Sequence, residues 1–196
     1  LVSDKIDVFK KQGKVARLEE SLLGTHLPST IGIGHTRWAT HGEPSDRNAH
    51  PHLSASGRIS MIHNGIIENY ASLKQELLNK GYQFNSDTDT EVLLNAWHCW
   101  AEDSLEKIDG MFAFSILDIV NNRLIMARDR IGEKPLYYKH SNQGFIFASE
   151  LKSILHVKGT TRKLNHIALD CLLGFGYVPG DLCIIEGVKK LPQASY

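Results

Sequence analysis

The sequence predicts an α+β fold in which helices pack on antiparallel sheets. Two pairs of alternating apolar segments, each joined by a short turn-forming stretch, read as hairpins. Apolar stripes at helical spacing lie outside them, and the strand–helix–strand alternation of a parallel sheet is not found.

The elements follow in chain order. Residues 1–23 are charged and mixed, and in "VARLEESLL" Val15, Leu18 and Leu22 recur at helical spacing. "TIGIGHTRW" reads as a strand with Ile31 and Ile33 on one face, and it runs into the polar loop "ATHGEPSDRNAHPH". "GRISMIHNG" is a second strand ending at the "HNG" triplet. Asn69 is placed to cap a helix whose stripe is Tyr70, Leu73, Leu77 and Leu78, with Gly81 as its stop. "SDTDTEVLLNAWHCW" opens a further helix, where Thr88 and Glu91 fit a capping box. The hairpins are "MFAFSILDI"/"RLIMARD" around Asn121-Asn122, and "PLYYKH"/"FIFASE" around "SNQG". "ELKSILHV" and "LNHIALDCLLGFG" are helical, and "YVPGDLCIIEGVKKLP" is loop plus strand.

Bulk properties narrow the function. The chain has 196 residues and is 42% hydrophobic, enough for one well-buried core. Lys plus Arg equals Asp plus Glu, so no basic stripe marks a nucleic-acid binder. No apolar run approaches a membrane span. Cys99, Cys171 and Cys183 lack metal-type spacing and read as reduced thiols of a cytoplasmic protein. The chain opens at Leu1 in an amphipathic stretch and ends at "KKLPQASY", so a fragment is the expectation.

Three polar stations interrupt the apolar elements: the loop at 31–52, "HNG" at 63–65 and "SDTDTE" at 86–91. Arg37 offers a planar fork suited to a carboxylate. The Asn64 amide and the Gly65 N–H are neighbouring neutral donors, and such a pair suits an oxyanion formed in acyl transfer. Asp89 offers a carboxylate to an ammonium. Together they describe an α-amino acid whose side-chain carbonyl is attacked, and glutamine fits. Each residue alone has a plainer reading: an ion pair for Arg37, a tight turn for Asn64-Gly65, helix N-terminal support for Asp89. The loop carries four of the ten histidines, His35, His41, His50 and His52, so metal binding is an alternative, although neither the helical nor the Cys-paired ligand spacing is present. His63, on a strand, reads as a packed or hydrogen-bonded histidine.

"HTRWATHGEP…NAHPH", "HNGIIENY" and "SDTDTEV", in order over about residues 12–95, resemble the glutaminase domain of glucosamine-6-phosphate synthase. The resemblance implies a class II glutamine amidotransferase with the N-terminal-nucleophile hydrolase fold, two stacked antiparallel sheets between helical layers. It implies that Arg37 and Asp89 hold the carboxylate and ammonium of glutamine, that Asn64 and Gly65 form the oxyanion hole, that Thr40 and His41 line the pocket and that Trp38 belongs to a closing loop. From about residue 90 onward, "IDGMFAFSILD…RLIMARDRIGEKPLYY…FIFASELKSIL" and "FGYVPG…IIEGVKKLP" are similar to glutamine-dependent asparagine synthetase instead. "TDTEV" is common to both families, so a hybrid could join there in register.

That family opens its mature chain with a nucleophilic cysteine whose α-amino group is the base. The expectation is therefore a glutaminase domain over residues 1–158 that lacks its first strand and does not hydrolyse glutamine. Residues 159–196 would begin a synthetase-type domain. No cofactor is expected here, with ATP and magnesium confined to a missing synthetase domain. The implied partners are glutamine, a missing synthetase or isomerase domain and further copies in a homo-oligomeric full-length enzyme. A binding or scaffold module without catalysis is the other reading. Arg128, Asp129 and Arg130 fit either a functional cluster or a hydrogen-bonded corner.

Overall fold

In the computed structural model, which describes residues 5–196, two antiparallel sheets and six α-helices give the α+β class that the hairpins predict. The chain divides into two compact units, one up to Met126 and one from Ala127.

The first unit is built on a sheet of order β1-β2-β3-β4: β1 His52–Leu53, β2 Ile59–Ile67, β3 Gly110–Asp118 and β4 Arg123–Arg128. β4 carries the chain across the boundary between the units. β2 and β3 pair antiparallel from Ile59 opposite Asp118 to Ile67 opposite Gly110. Ser60, Met61, Ile62 and His63 are consecutively buried, so both faces of β2 are covered there. Asn122, at φ 52°, makes the β3–β4 turn, and Asp118 accepts from the N–H groups of Val120 and Asn121.

Helix α2 (Tyr70–Asn79) and helix α3 (Asp89–Trp100) pack together, and α3 lies on β2. Every residue of α3 from Asp89 to Trp97 is buried, which suits its apolar run "VLLNAW". The Trp97 ring meets Phe114 of β3 edge-on, with centroids 6.2 Å apart. Thr88 caps α3 by accepting from Glu91 N at 3.2 Å. Half of the capping box is thus formed. The Glu91 carboxylate turns instead to the Asn85 and Ser86 N–H groups and the Ser86 hydroxyl. Asn69 occupies the cap position of α2, yet its side chain makes no capping bond. It bridges to Lys107 O and Asp109 N just before β3, so its hydrogen bonds serve long-range pairing.

One predicted strand is not formed. Residues 31–38, within "TIGIGHTRW", are irregular. No described strand runs beside them, and an unpaired strand has no ladder to stabilise it. Gly32 and Gly34 add no side chain that could pack, and Cβ positions built on them meet open space. The "HNG" triplet lies inside β2, which continues to Ile67, and not at its end. Helix α1 (Val15–Ser21) follows its prediction but buries no residue. A 3₁₀ turn at Ala101–Asp103 and helix α4 (Ser104–Lys107) complete the unit.

In the second unit, β5 (Tyr137–Ser141) pairs with β6 (Gly144–Ala148) and with β7 (Lys189–Lys190). Its core is Ile154 of helix α5 (Leu151–Leu155) against Cys183, Ile185 and Val188. Helix α6 (His166–Phe175) is capped by Asn165 and stopped by Gly176 at φ 78°. The Arg128 guanidinium donates to the carbonyls of Gly132, Lys134 and Leu191 at 2.6–2.7 Å. Buried Asp129 accepts from Glu133 N and Lys134 N. Of the two readings of this cluster, these two residues form the hydrogen-bonded corner.

Candidate active site

Asp89 is where the predicted stations meet. It is the first residue of α3 and only 3% exposed. Its Oδ2 accepts from Ile67 N of β2 at 2.9 Å, and its Oδ1 faces His41 Nδ1 at 3.8 Å. The helix N-terminus adds favourable partial positive charge. Asp89 therefore supports the helix start, as its plainer reading has it, and also joins loop, strand and helix.

Arg37 lies within electrostatic reach of Asp89. Partial burial lowers the guanidinium from its ordinary pKa, and the Asp89 carboxylate opposes that shift. The Arg37 Nη1 donates to Glu43 O at 3.2 Å, and Nη2 donates to His41 O and Gly42 O. Arg37 thus folds its own loop into a tight turn around the side chain. Gly42, at φ 73°, permits this turn, since a Cβ there would lie 2.7 Å from Asn48 Nδ2 and 3.2 Å from Asp87 O. Asn48 is fully buried and holds both flanks, donating to Glu43 O and accepting from Asp87 N.

His41 is held by an edge contact with the Tyr70 ring at 4.8 Å between centroids. Thr40 and Trp38 stand exposed, Trp38 at 89%, and the structure does not bring them into the group. Asn64 is half-buried on β2 opposite Ala113, three residues before the N–H that Asp89 holds. Its amide makes no bond to another described residue. Gly65 has φ 146°, and a Cβ there would sit 2.0 Å from Met111 O. Glycine at 65 is therefore a requirement of the β2–β3 ladder itself.

A buried histidine–hydroxyl network lies alongside, and single-residue chemistry did not reveal it. The rings of His35 and His50 meet at 4.2 Å, and those of His50 and His52 at 5.4 Å. Thr90 Oγ1 lies 3.0 Å from His50 Nε2 and 3.1 Å from His63 Nδ1. Thr88 Oγ1 lies 3.2 Å from His52 Nε2. Burial, followed by the charge of Arg37, pushes His35 down to about 4. Burial, followed by the charge of Lys10, pushes His52 down to about 3. Burial and the neighbouring histidines push His50 down as well. These rings are neutral parts of the loop's seat, His50 and His52 through hydrogen bonds and His35 through its ring contact with His50. His63 is the packed, hydrogen-bonded histidine expected on its strand. Among the described residues, no three His, Cys, Asp or Glu side chains form a group that could hold a metal. The signal for this network was the alternation of His50 with His52 and of Thr88 with Thr90, two short rows that can face each other.

Comparison with known proteins identifies the family. The glutamine amidotransferase domain family matches residues 21–196. The glutamine–fructose-6-phosphate aminotransferase (isomerizing) of Chlorobaculum tepidum is 54% identical over 114 residues, covering 56% of this chain and 19% of the relative. The enzyme of the same name from Synechocystis is 35% identical over 206 aligned positions, covering 96% of this chain and 32% of the relative. The chain thus spans between a fifth and a third of the length of these relatives. Among solved structures, the glutamine phosphoribosylpyrophosphate amidotransferase of B. subtilis superposes with a TM-score of 0.52 at 29% identity, over 61% of this chain and 28% of that one. The match across residues 21–196, together with that superposition, shows that this chain belongs to the class II glutamine amidotransferase family.

Proposed function

We propose that the chain binds L-glutamine, with Arg37 taking the α-carboxylate, Asp89 the α-ammonium and the Asn64 amide the side-chain carbonyl oxygen. The observation that carries this reading is Asp89, a carboxylate 3% exposed that holds one backbone N–H and turns its other oxygen toward His41. A buried carboxylate is costly unless its charge is matched. A ligand ammonium beside Arg37 and Asp89 would complete a plus–minus–plus row. Thr40 and Trp38 lie on the same loop and are proposed to close over the ligand.

In the intact enzyme the glutamine amide would be cleaved through a thioester, and the ammonia passed to a partner domain. The names of the relatives favour fructose-6-phosphate as acceptor. Cys99 is on α3, Cys171 on α6 and Cys183 in the second unit's core, and none is assigned as the nucleophile. The 196-residue chain is therefore proposed to hold glutamine without turning it over.

The test is calorimetry with L-glutamine and with its analogue lacking the α-amino group. L-glutamine should bind, and the analogue should bind at least about tenfold more weakly, because one charge-assisted contact is lost. Asp89→Asn should abolish that preference. Equal affinity for the two ligands in the unmodified chain would refute the assignment of Asp89.

A further inference from the structure

One buried hydroxyl touches all three segments that carry the site. Thr90 is the second residue of α3 and 2% exposed. It follows Asp89 directly. Its Oγ1 contacts His63 Nδ1 on β2, one residue before Asn64, and His50 Nε2 on the loop that carries Arg37.

The chemistry fixes a direction for the His50 side of this bridge. A hydroxyl has one hydrogen and two lone pairs, so it accepts from at least one of the two rings. His50 Nδ1 is buried without a hydrogen-bond partner. A buried N–H without a partner is rarer than a buried bare acceptor. The His50 proton therefore sits on Nε2 and is donated to Thr90 Oγ1. The environment that keeps His50 uncharged is consistent with this, since an imidazolium would bury an unpaired Nδ1–H.

We propose that Thr90 is a positioning residue of the glutamine site: by hydrogen-bonding both His50 and His63, it holds Asp89 and Asn64 in place relative to the Arg37 loop. The proposal rests on the reading of those residues as a glutamine site. Valine is nearly isosteric with threonine, so Thr90→Val removes the two hydrogen bonds while keeping the volume. Thr90→Ser keeps the hydroxyl and loses a methyl.

The experiment uses the full chain at about neutral pH, with L-glutamine calorimetry on wild type, Thr90→Val and Thr90→Ser and ¹⁵N NMR of the imidazoles. Thr90→Val should bind about tenfold more weakly or worse, and Thr90→Ser should stay within about threefold of wild type, as expected if hydrogen bonds and not volume set the geometry. In wild type, His50 should be protonated on Nε2 only, and glutamine should shift the His50 and His63 ring nitrogens. Unchanged affinity in a folded Thr90→Val protein overturns the positioning role and leaves the glutamine reading intact. No binding by wild type overturns both. Should Thr90→Val not fold, the wild-type rings decide: His50 protonated on Nδ1, or rings unmoved at saturating glutamine, overturns the proposal, and the opposite result supports it.

Discussion

Gly65 and the buried histidines show how far single residues set the behaviour of the site. At Gly65 a Cβ would meet Met111 O at 2.0 Å with φ at 146°, so Gly65→Ala must shift the ladder as well as strain the backbone. Strain of this type costs on the order of 1–3 kcal/mol before the steric clash is added. Urea denaturation should show at least that loss, and a change under about 0.5 kcal/mol, the range of an ordinary surface substitution, would contradict the geometry. The histidines make a pH prediction. Unfolded imidazoles titrate near 6.5, whereas folded His35 titrates at about 4 and His52 at about 3. Between those values the unfolded chain binds protons that the folded chain refuses. Their contribution to stability is complete above about pH 6.5 and is lost as pH falls toward the folded values. The urea midpoint should already drop between about pH 7 and 5, above the carboxylate range, and His52→Asn should flatten the drop. An unchanged midpoint across that window would contradict the neutral-ring network.

At the level of elements, what was legible depended on whether the signal was local. The helix at Thr88–Trp100 was readable from its cap and apolar run, and the hairpins from Asn122 and "SNQG", because turn and cap chemistry acts within a few residues. The segment at 31–38 carries strand-like alternation, but a strand needs a neighbour, and pairing is a property of the sheet. Asn69 was misplaced as a side-chain cap for a related reason: its partners Lys107 and Asp109 are nearly forty positions away. Thr88 both caps α3 and meets His52, so Thr88→Ala should cost about 1–2 kcal/mol, the upper part of the cap range. A loss within about 0.3 kcal/mol in urea denaturation would show that the cap is dispensable. By contrast, Leu173 of α6 is 77% exposed, and Leu173→Lys should change stability by no more than about 0.5 kcal/mol in the same assay.

Across the whole molecule, stability is concentrated where burial is. β2 and β3 contribute Met61, Ile67, Phe112, Phe114 and Ile116 to the core, whereas α1 buries nothing. Hydrogen exchange should find the slowest amides along the β2–β3 pairing and the fastest helical amides in α1. The site draws on both kinds of region, with Asp89 and Asn64 on buried elements and Arg37, Thr40 and Trp38 on an irregular loop. Residue chemistry therefore pointed to Arg37, Asn64 and Asp89, while the network that seats the loop emerged only with the tertiary arrangement of His50, His63 and Thr90. The most direct test of the account is an L-glutamine titration of the full chain beside its Arg37→Ala variant, each checked for a cooperative melt. The account predicts saturable one-to-one binding by the unmodified chain and a loss of about tenfold to a hundredfold in Arg37→Ala, as expected for a charge-assisted contact. Equal affinity in two folded proteins, or no binding by the unmodified chain, would contradict it.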